Sequence, residues 1–362
     1  MYVWAKRNMM AESEILEYVE GDHIALLSIT FSGHNGVAKV MRRQAEVLSE
    51  NGSEVTVYSF ESDLAPETYD VIELYAPEND HLNRLYRVLW PLLVLPVLTL
   101  AVRLRNYDTI ISHKYPFNVA CTLGAWLGPT YVYYDHGVAP PELYDNLVAK
   151  VYSKLMRRLQ AVTARPASAV IAISEFVADE LREEWGPRPT AIIYNSPSSF
   201  IHEYELDLRD IRSYHNIPAT APVILFVGRI TKHKNVSCLL EAQKSAIDTE
   251  GTKPYLVLVG KPTQNRYYEQ IKAQAGENVR FAGYVEEKYL TSYYAQADVY
   301  VTASLWEGCN LTVLEAQQME LPVVAFDAGA HPETVEVPPG RLVPEGDCEL
   351  LGEQVTAVLQ SD

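Results

Sequence analysis

The sequence predicts an α/β protein with two Rossmann-like parallel-sheet domains that face a central cleft. Short apolar runs alternate with stretches of helical apolar periodicity, which is the pattern of βαβ units and therefore of parallel sheets. The alternation stops once, in a segment rich in proline, serine and aspartate, and then begins again. The chain of 362 residues also exceeds the size at which one core usually stops growing, roughly 250–300 residues. We therefore predict a first domain at 1–197, a linker at 198–221 and a second domain at 222–362.

Each predicted element follows from one of these two apolar patterns. In the first domain the predicted strands are 23–29, 54–60, 109–112, 131–134, 169–173 and 190–194, and the helices are 37–51, 118–127 and 179–185. In the second domain the predicted strands are 223–227, 255–259, 279–281, 299–302 and 323–326, and the helices are 235–249, 265–276, 287–295, 310–320 and 348–359. Because ligands of open α/β sheets bind beyond the carboxyl ends of the strands, the loops that follow strands are the candidate sites.

The overall charge argues against a nucleic-acid partner. The formal net charge is −17 and the isoelectric point is near 5.0, whereas a protein that binds phosphate backbones needs a broad basic surface. We interpret the acidic excess mainly as a solubilising surface, with a salt-rich cytoplasm as the weaker alternative.

The cysteines and the amino-terminal residues favour a cytoplasmic protein. Cys121, Cys238, Cys309 and Cys348 lie far apart, and no two have the spacing of a metal or redox site, so we expect reduced thiols. The first 22 residues carry charges throughout and lack the apolar core of a secretory signal.

The most apolar stretch lies between Val88 and Leu104. It is shorter than the ~20 residues of a membrane-spanning helix, and Pro91 and Pro96 interrupt it. The flanking arginines are Arg84, Arg87, Arg103 and Arg105. This arrangement suits a peripheral membrane contact in which cations meet anionic headgroups, and a helix packed on the sheet is the equally weighted alternative.

The strongest candidate site is the segment 305–315, which follows a predicted strand and opens a predicted helix. The backbone amides of Asn310 and Leu311 would be first-turn donors at the positive end of the helix dipole, so a diphosphate could bind there. Gly308 would let that anion approach the chain closely.

Two glutamates accompany this anion site. Glu315 lies one turn further along the helix, where its carboxylate could bind the vicinal diol of a ribose. Glu307, in the loop, could accept hydrogen bonds from the hydroxyls of a sugar beyond the phosphate. An acidic loop followed by a solvated glutamate is the plain structural alternative.

A basic loop follows another predicted strand. It contains Gly228, Arg229 and Lys234 and precedes a helix. Arg229 could bind phosphate oxygens in a bidentate manner and Lys234 could add a point charge, so that together they would neutralise a departing diphosphate. Solvated cations before a helix are the alternative, which the presence of the glutamate motif in the same chain disfavours.

With these motifs the sequence resembles the retaining glycosyltransferases of the GT-B fold, family four (glycosyl transferases group 1). The residues that carry the resemblance are Glu307 and Glu315, Gly228, Arg229 and Lys234, the segment 281–285, Ala297 to Val299 with Ser304, the loop 33–38, and Asp135 to Gly137. Together they cover most of the chain.

The resemblance implies a role for each matching residue. Arg229 and Lys234 would hold the donor diphosphate, Glu315 the ribose and Glu307 the transferred sugar. The nucleotide sugar would bind mainly to the second domain, and the acceptor to the first.

Further matches extend the implied site. Backbone groups of Tyr284 and Val285 would contact the nucleobase. Gly36 would allow close approach of diphosphate and acceptor, and His136 would contact the sugar or the acceptor. His113 and Lys114 end a strand and either face the acceptor or are merely exposed.

The family is metal-independent and needs no cofactor beyond the nucleotide diphosphate sugar, which is a substrate. The sequence agrees in having no Asp-x-Asp motif for a metal diphosphate clamp. One departure is that the family usually ends with a further helix returning to the first domain, whereas this chain stops at Asp362. A shortened chain with altered domain closure is one interpretation of that difference.

The resulting hypothesis is a hexosyltransferase that acts on a glycan or lipid-linked acceptor, in polysaccharide or glycolipid biosynthesis, at the inner face of a membrane. The main alternative is a non-catalytic protein that binds a nucleotide sugar or glycan through the same fold. An epimerase or a phosphorylase of related architecture is a third possibility. The sequence does not identify the sugar, the nucleobase or a catalytic base.

Overall fold

The computed structural model describes residues 12–33, 36–113, 115–143, 147–184, 189–197, 208–248 and 250–361. The chain divides into two compact units, Met1–Ser196 and Pro197–Asp362. Part of the predicted linker, 198–207, lies outside the described residues, so the extent of the linker stays a prediction.

The first unit is built on a seven-stranded sheet with the order β3-β2-β1-β4-β5-β6-β7, in which all neighbours are parallel. Its strands are β1 His23–Leu27, β2 Glu54–Ser59, β3 Asp70–Glu73, β4 Thr109–Ser112, β5 Thr130–Asp135, β6 Ala169–Ala172 and β7 Ala191–Ile192. Its helices are α1 Gly36–Glu50, α2 Asp80–Leu89, α3 Val94–Leu104, α4 Asn118–Ala125, α5 Leu147–Ala164 and α6 Glu175–Glu184.

The apolar stretch of the first unit forms the end of α2, a 3-10 turn at Trp90–Leu92, and α3. Its two prolines stand in first turns, where a missing N–H interrupts no helical hydrogen bond. One side of α3 is buried, through Val97, Leu100, Ala101 and Leu104, as the packed-helix alternative predicts, and the other side is exposed. Among the described residues, no single helix has the length and apolar composition to cross a membrane, and only the bent pair Leu85–Leu92 and Val94–Leu104 reaches them together.

The second unit repeats the architecture with a six-stranded parallel sheet, in the order β10-β9-β8-β11-β12-β13. Its strands are β8 Val223–Val227, β9 Tyr255–Val259, β10 Val279–Gly283, β11 Val299–Thr302, β12 Val323–Asp327 and β13 Arg341–Pro344. Its helices are α7 Ile211–Tyr214, α8 Val236–Ser245, α9 Asn265–Gln274, α10 Glu287–Ala295, α11 Leu311–Gln318, α12 His331–Thr334 and α13 Cys348–Leu359.

Both faces of the second sheet are covered, which explains why its strands are apolar without alternation. Along β8, Ile224 and Phe226 pack into one hydrophobic cluster, while Val223, Leu225 and Val227 pack into the other. Successive side chains of a strand point to opposite faces, so a strand between two helical layers needs apolar residues at every position. The predicted pair of parallel-sheet α/β domains is confirmed.

The expectation of reduced cysteines is wrong for two of the four residues. Cys238 and Cys348 form a disulfide between α8 and α13, with the two Cα atoms 5.3 Å apart. The bond joins residues separated by 110 positions, so no local spacing could predict it, and only the packing of the two helices brings the sulfurs together. Cys121 and Cys309 are free thiols.

Candidate functional site

The predicted basic loop and the predicted glutamate loop meet in the second unit. They follow β8 and β11, which are neighbours in the sheet. The Leu305 N–H donates to the His233 carbonyl at 2.8 Å, and the Lys234 ammonium forms an ion pair with Glu307. The side chains of this pair are 13% and 11% exposed, so the ions are largely withdrawn from water. The fold therefore joins the two motifs through a buried salt bridge.

Glu307 is held in its ionised form. Burial by itself would raise the pKa of this carboxyl, but the Lys234 ammonium and the His331 ring oppose burial, and the net pKa lies below its ordinary value. The neighbouring His233 is neutral near pH 7, because burial and then the Lys234 charge lower its pKa to about 4. Arg229 is exposed beside this group.

The backbone of the glutamate loop is anchored by the turn after β12. The Ala330 N–H donates to the Glu307 carbonyl at 2.9 Å. Gly329 has φ +58°, and a Cβ at this position would lie 2.6 Å from the backbone nitrogen and oxygen of Glu307. Only glycine fits such an approach, so Gly329 fixes where the Glu307 backbone lies.

Helix α11 begins directly after this loop, with Asn310 at its N-cap. The Asn310 side chain makes no capping bond to the first turn, because its oxygen accepts from Thr312 at 2.8 Å and its nitrogen lies 3.1 Å from His331 Nε2. His331 Nδ1 donates in turn to the Phe326 carbonyl. Leu311 follows Asn310 in the first turn. The Asn310 side chain therefore leaves the first-turn amides uncapped, and the use of this turn as an anion site stays a prediction.

Glu315 lies on α11 with no exposed surface. The Tyr294 hydroxyl donates to Glu315 Oε2 at 2.8 Å, which fixes the direction of the carboxylate. The sequence placed Glu315 on a helix, as found, but its ribose contact stays a prediction.

Three glycines lie together at the carboxyl ends of β8, β9 and β10. The Gly228 N–H donates to the Val259 carbonyl, and the Gly260 N–H donates to the Gly283 carbonyl at 2.7 Å. A Cβ on Gly260 would lie 1.9 Å from the Gly228 carbonyl oxygen. Gly260 therefore allows the loop after β9 to pack backbone against backbone on the loop after β8.

The predicted nucleobase segment follows β10. The Tyr284 ring is 38% exposed, and Lys261 Nζ lies 4.3 Å from its centroid. Val285 is partly buried against the hydrophobic core. Gly308, in the glutamate loop, is buried.

The sequence-predicted residues of the first unit follow β4 and β5. His113 Nδ1 lies 3.0 Å from His136 Nε2, and His113 also stacks on Tyr134. Burial lowers the pKa of His113 to about 3, so its ring is neutral near pH 7. The sequence predicted that His113 either faces the acceptor or is merely exposed. The structure excludes the second possibility, because His113 lies in the interior with no exposed surface.

Gly36 begins α1. His34 and Asn35 of the same predicted loop, and Lys114 after β4, lie outside the described residues. Arg84 lies in α2, but its side chain is also outside the described part.

Sequence reasoning missed several residues that build the site. The missed residues hold the functional side chains or backbone in place; they are His331, Gly329, Gly260 and Tyr294. None of the four carries a formal charge that would mark it as a candidate. The segment Ala-Gly-Ala-His-Pro-Glu after the β12 run was the available signal, because glycine and histidine directly after a buried strand occupy the ligand-binding edge of such a sheet.

Both units match protein-family models. Residues 34–196 match the family described as Glycosyltransferase Family 4, and residues 221–361 match the family described as Glycosyl transferases group 1. Both units are glycosyltransferase domains. The first contains Gly36 and His136, and the second contains the Lys234–Glu307 pair, Arg229 and Glu315.

Curated relatives match over parts of this glycosyltransferase chain. A phosphatidyl-myo-inositol mannosyltransferase of Mycobacterium leprae is 31% identical over 153 residues, which is 40% of the chain and 39% of the relative. An uncharacterized glycosyltransferase of Methanocaldococcus jannaschii is 26% identical over 195 residues, which is 51% of the chain and 48% of the relative. The alignments thus span about half or less of these two relatives.

Solved structures share the fold over nearly the whole glycosyltransferase chain. A sucrose-phosphate synthase from Thermosynechococcus elongatus has a TM-score of 0.76 at 22% identity, covering 93% of this chain and 89% of that one. WaaG, a glycosyltransferase involved in lipopolysaccharide biosynthesis, has a TM-score of 0.70 at 17% identity, covering 93% and 90%. The shared architecture is the GT-B fold of glycosyltransferases.

Proposed function

We propose that this protein transfers a hexose from a nucleotide diphosphate sugar to a glycan or lipid-linked acceptor, with retention of anomeric configuration and without a metal ion. The observation that carries the proposal is the meeting of the Arg229–Lys234 loop with the Glu307 loop and the uncapped start of α11. Cations and first-turn amides at one edge of a parallel sheet suit a diphosphate.

In the proposed reaction the bond between the sugar C1 and the diphosphate oxygen breaks, and a bond forms between C1 and an acceptor hydroxyl oxygen. The leaving diphosphate keeps the electron pair of the broken bond. Arg229 and Lys234 would stabilise its charge, together with the amides of Asn310 and Leu311 beside Gly308. The acceptor hydroxyl loses its proton as the new bond forms, and an oxygen of the leaving diphosphate can take up that proton; no residue is assigned as a base.

The remaining assignments follow the family resemblance. Glu315 would bind the ribose through a carboxylate that Tyr294 already orients, and Glu307 would accept from the sugar hydroxyls. Backbone groups at Tyr284 and Val285 would contact the nucleobase.

In the first unit, Gly36 would admit the diphosphate and the acceptor, and His136 would contact the sugar or the acceptor. The exposed side of the segment from Val88 to Leu104 would make a peripheral membrane contact at the inner face of a cytoplasmic membrane. Relatives named for phosphatidylinositol and lipopolysaccharide chemistry support a lipid-linked acceptor.

The test is incubation with a mixture of UDP-, GDP- and ADP-sugars, with the retained donor identified by mass. Arg229→Ala and Glu315→Ala should each weaken donor binding at least about tenfold, the value of a lost hydrogen bond to a charged group. Lys244→Ala, which removes an exposed cation at the far end of α8, is the matched control and should bind normally. Unchanged binding in both site variants would refute the assignment, and binding without turnover on any acceptor would favour a non-catalytic sugar-nucleotide protein.

A further inference from the structure

Helix α5 of the first unit has apolar side chains on its exposed face as well as on its buried face. The buried face mixes Met156, Ala161 and Ala164 with the polar residues Ser153, Arg157, Gln160 and Thr163. Its exposed face carries the apolar side chains Leu147, Val151, Leu155 and Val162, with Leu147 and Leu155 exposed by 75% and 57%. A helix in a globular unit normally buries its apolar side, so this exposed apolar face requires an explanation.

The same exposed face is strongly basic. The segment from Leu147 to Arg165 has five basic residues and no acidic residue, in a chain whose net charge is −17. One of the five, Arg157, is turned inward, where it pairs with Glu180. Lys150, Lys154 and Arg158 are exposed between the apolar positions. Apolar residues flanked by cations are typical of a helix that lies in the plane of an anionic lipid interface.

The exposed side of α3 gives the same unit a second apolar surface. Helix α4 contacts both α3 and α5, so the three helices form one layer. Just before α3 and along its first turns, the side chains of Leu92, Val94, Leu95 and Leu98 are exposed, Leu95 by 78%. Tyr115, after β4, is tied to the α3 side of this layer, because its hydroxyl donates to the Val88 carbonyl at the end of α2.

The inner face of α5 holds the loop that follows His136. Arg157 Nη1 donates to the Val138 carbonyl at 2.9 Å, and the Ser153 hydroxyl donates to the Ala139 carbonyl at 3.2 Å. One helix therefore carries both the His136 loop and the basic apolar face. A surface bound to this face would lie within one helix diameter, about 10 Å, of that loop.

We propose that the outer faces of α3 and α5 dock this protein on an anionic lipid bilayer. The leucine and valine side chains enter the interface, and Lys150, Lys154 and Arg158 contact lipid phosphates. A protein partner fits less well, because lysine is depleted in protein–protein interfaces. The proposal extends the proposed function, since it adds a second, basic docking helix to the apolar segment at α3 and defines the charge of the membrane.

Flotation with vesicles tests the docking directly. The full-length protein should float with vesicles made of phosphatidylcholine and phosphatidylglycerol in equal parts, and should stay behind with phosphatidylcholine alone. Lys154→Gln and Arg158→Gln should each weaken binding about fivefold, the effect of ~1 kcal/mol for one cation near an anionic surface. Val151→Gln with Leu155→Gln should weaken it at least about tenfold, because glutamine keeps the helix but does not enter the interface.

A matched control removes the same charge elsewhere. Lys244→Gln and Lys253→Gln, each of which removes one exposed cation of the second unit, should each leave vesicle binding unchanged. Equal binding to neutral and anionic vesicles, no binding to either, or equal loss in the control would overturn the proposal. So would a dimer of the protein that dissociates in the Val151→Gln/Leu155→Gln variant, since a second copy would then cover the face. Donor binding is measured separately for every variant, so failure of the proposed function leaves the vesicle result interpretable.

Discussion

Lys234 and Glu307 pair where little water reaches either ion, so each charge depends on the other. Lys234→Met would leave a buried carboxylate without its cation and should lower the free energy of unfolding by about 3 kcal/mol. Lys234→Met combined with Glu307→Gln removes both charges and should recover much of that loss. Urea denaturation of both variants measures the difference.

Binding of the nucleotide donor tests the same pair independently of stability. Both variants lack the cation proposed for the diphosphate, so both should bind the nucleotide donor weakly. Equal stability of the single and double variants would show that water already solvates Glu307 and that the pair is not an electrostatic unit.

Residue types and their place after strands were readable from the sequence, whereas their partners were not. Arg229, Lys234, Glu307 and Glu315 were identified because charged residues directly after apolar runs fall at the ligand edge of a parallel sheet. The pairing of Lys234 with Glu307, and of Glu315 with Tyr294, depends on contacts between residues more than 20 positions apart. Such contacts leave no local pattern.

At the scale of elements, the contact between the loops after β8 and β9 leaves no room for a methyl group on Gly260. Gly260→Ala would place a Cβ against the Gly228 carbonyl and should displace the loop that carries Arg229. We expect weaker donor binding and a free energy of unfolding lower than that of the control by at least about 2 kcal/mol. Calorimetric titration with the donor and urea denaturation measure the two effects.

The control for this change is Gly251→Ala. Gly251 also has a positive φ, +77°, but a Cβ there would meet no atom within 4 Å. It should show only the backbone strain of about 1–2 kcal/mol and normal donor binding. Equal losses in the two variants would mean that backbone conformation, and not the close approach, makes Gly260 necessary.

The disulfide between α8 and α13 gives a second element-scale prediction. It closes a loop across 110 positions, so removing it should lower the free energy of unfolding by about 2–4 kcal/mol. Thermal unfolding with and without a thiol reductant measures the effect, and the Cys238→Ala/Cys348→Ala variant should no longer respond to reductant. Four titratable thiols in the denatured, unreduced protein would contradict the bond.

Strands that are continuous apolar runs were predicted well, whereas several short or edge elements were missed. The buried strands β4, β8, β9 and β11 match the predicted bounds. Strand β3 was missed because it lies at a sheet edge with no fully buried position. Helix α5 was missed although apolar residues recur along it at helical spacing, as Leu147, Val151 and Leu155 do. Strand β13 and helix α12 were missed as well, each only 4 residues long.

At the scale of the whole molecule, both units bury neutral imidazoles. Burial lowers the pKa of His113 in the first unit to about 3, and burial lowers that of His233 in the second to about 4. The pKa of His331 is also lowered by burial. In the unfolded chain these rings titrate near their ordinary value of about 6.5, so below that pH the unfolded state binds protons that the folded state does not.

This proton imbalance predicts the direction of the pH dependence. Since the unfolded state binds more protons, stability is fully present above pH about 6.5 and declines as the pH falls towards the folded-state values. Each buried histidine contributes a slope of up to about 1.4 kcal/mol per pH unit between those limits. Glu307, whose folded pKa is lowered, adds to the loss only at lower pH, when its carboxylate becomes protonated.

His113→Gln separates the contribution of one ring from that of the whole charge distribution. Glutamine cannot take up a proton. In the variant, the free energy of unfolding of the first unit should therefore change less steeply between pH about 6 and about 5, by roughly 1 kcal/mol per pH unit. Urea denaturation followed at several pH values gives the slope for the wild type and the variant. If the two slopes are the same, His113 takes up a proton in the folded state with little penalty. Its ring must then be accessible to water at the carboxyl end of β4, in spite of its contact with His136.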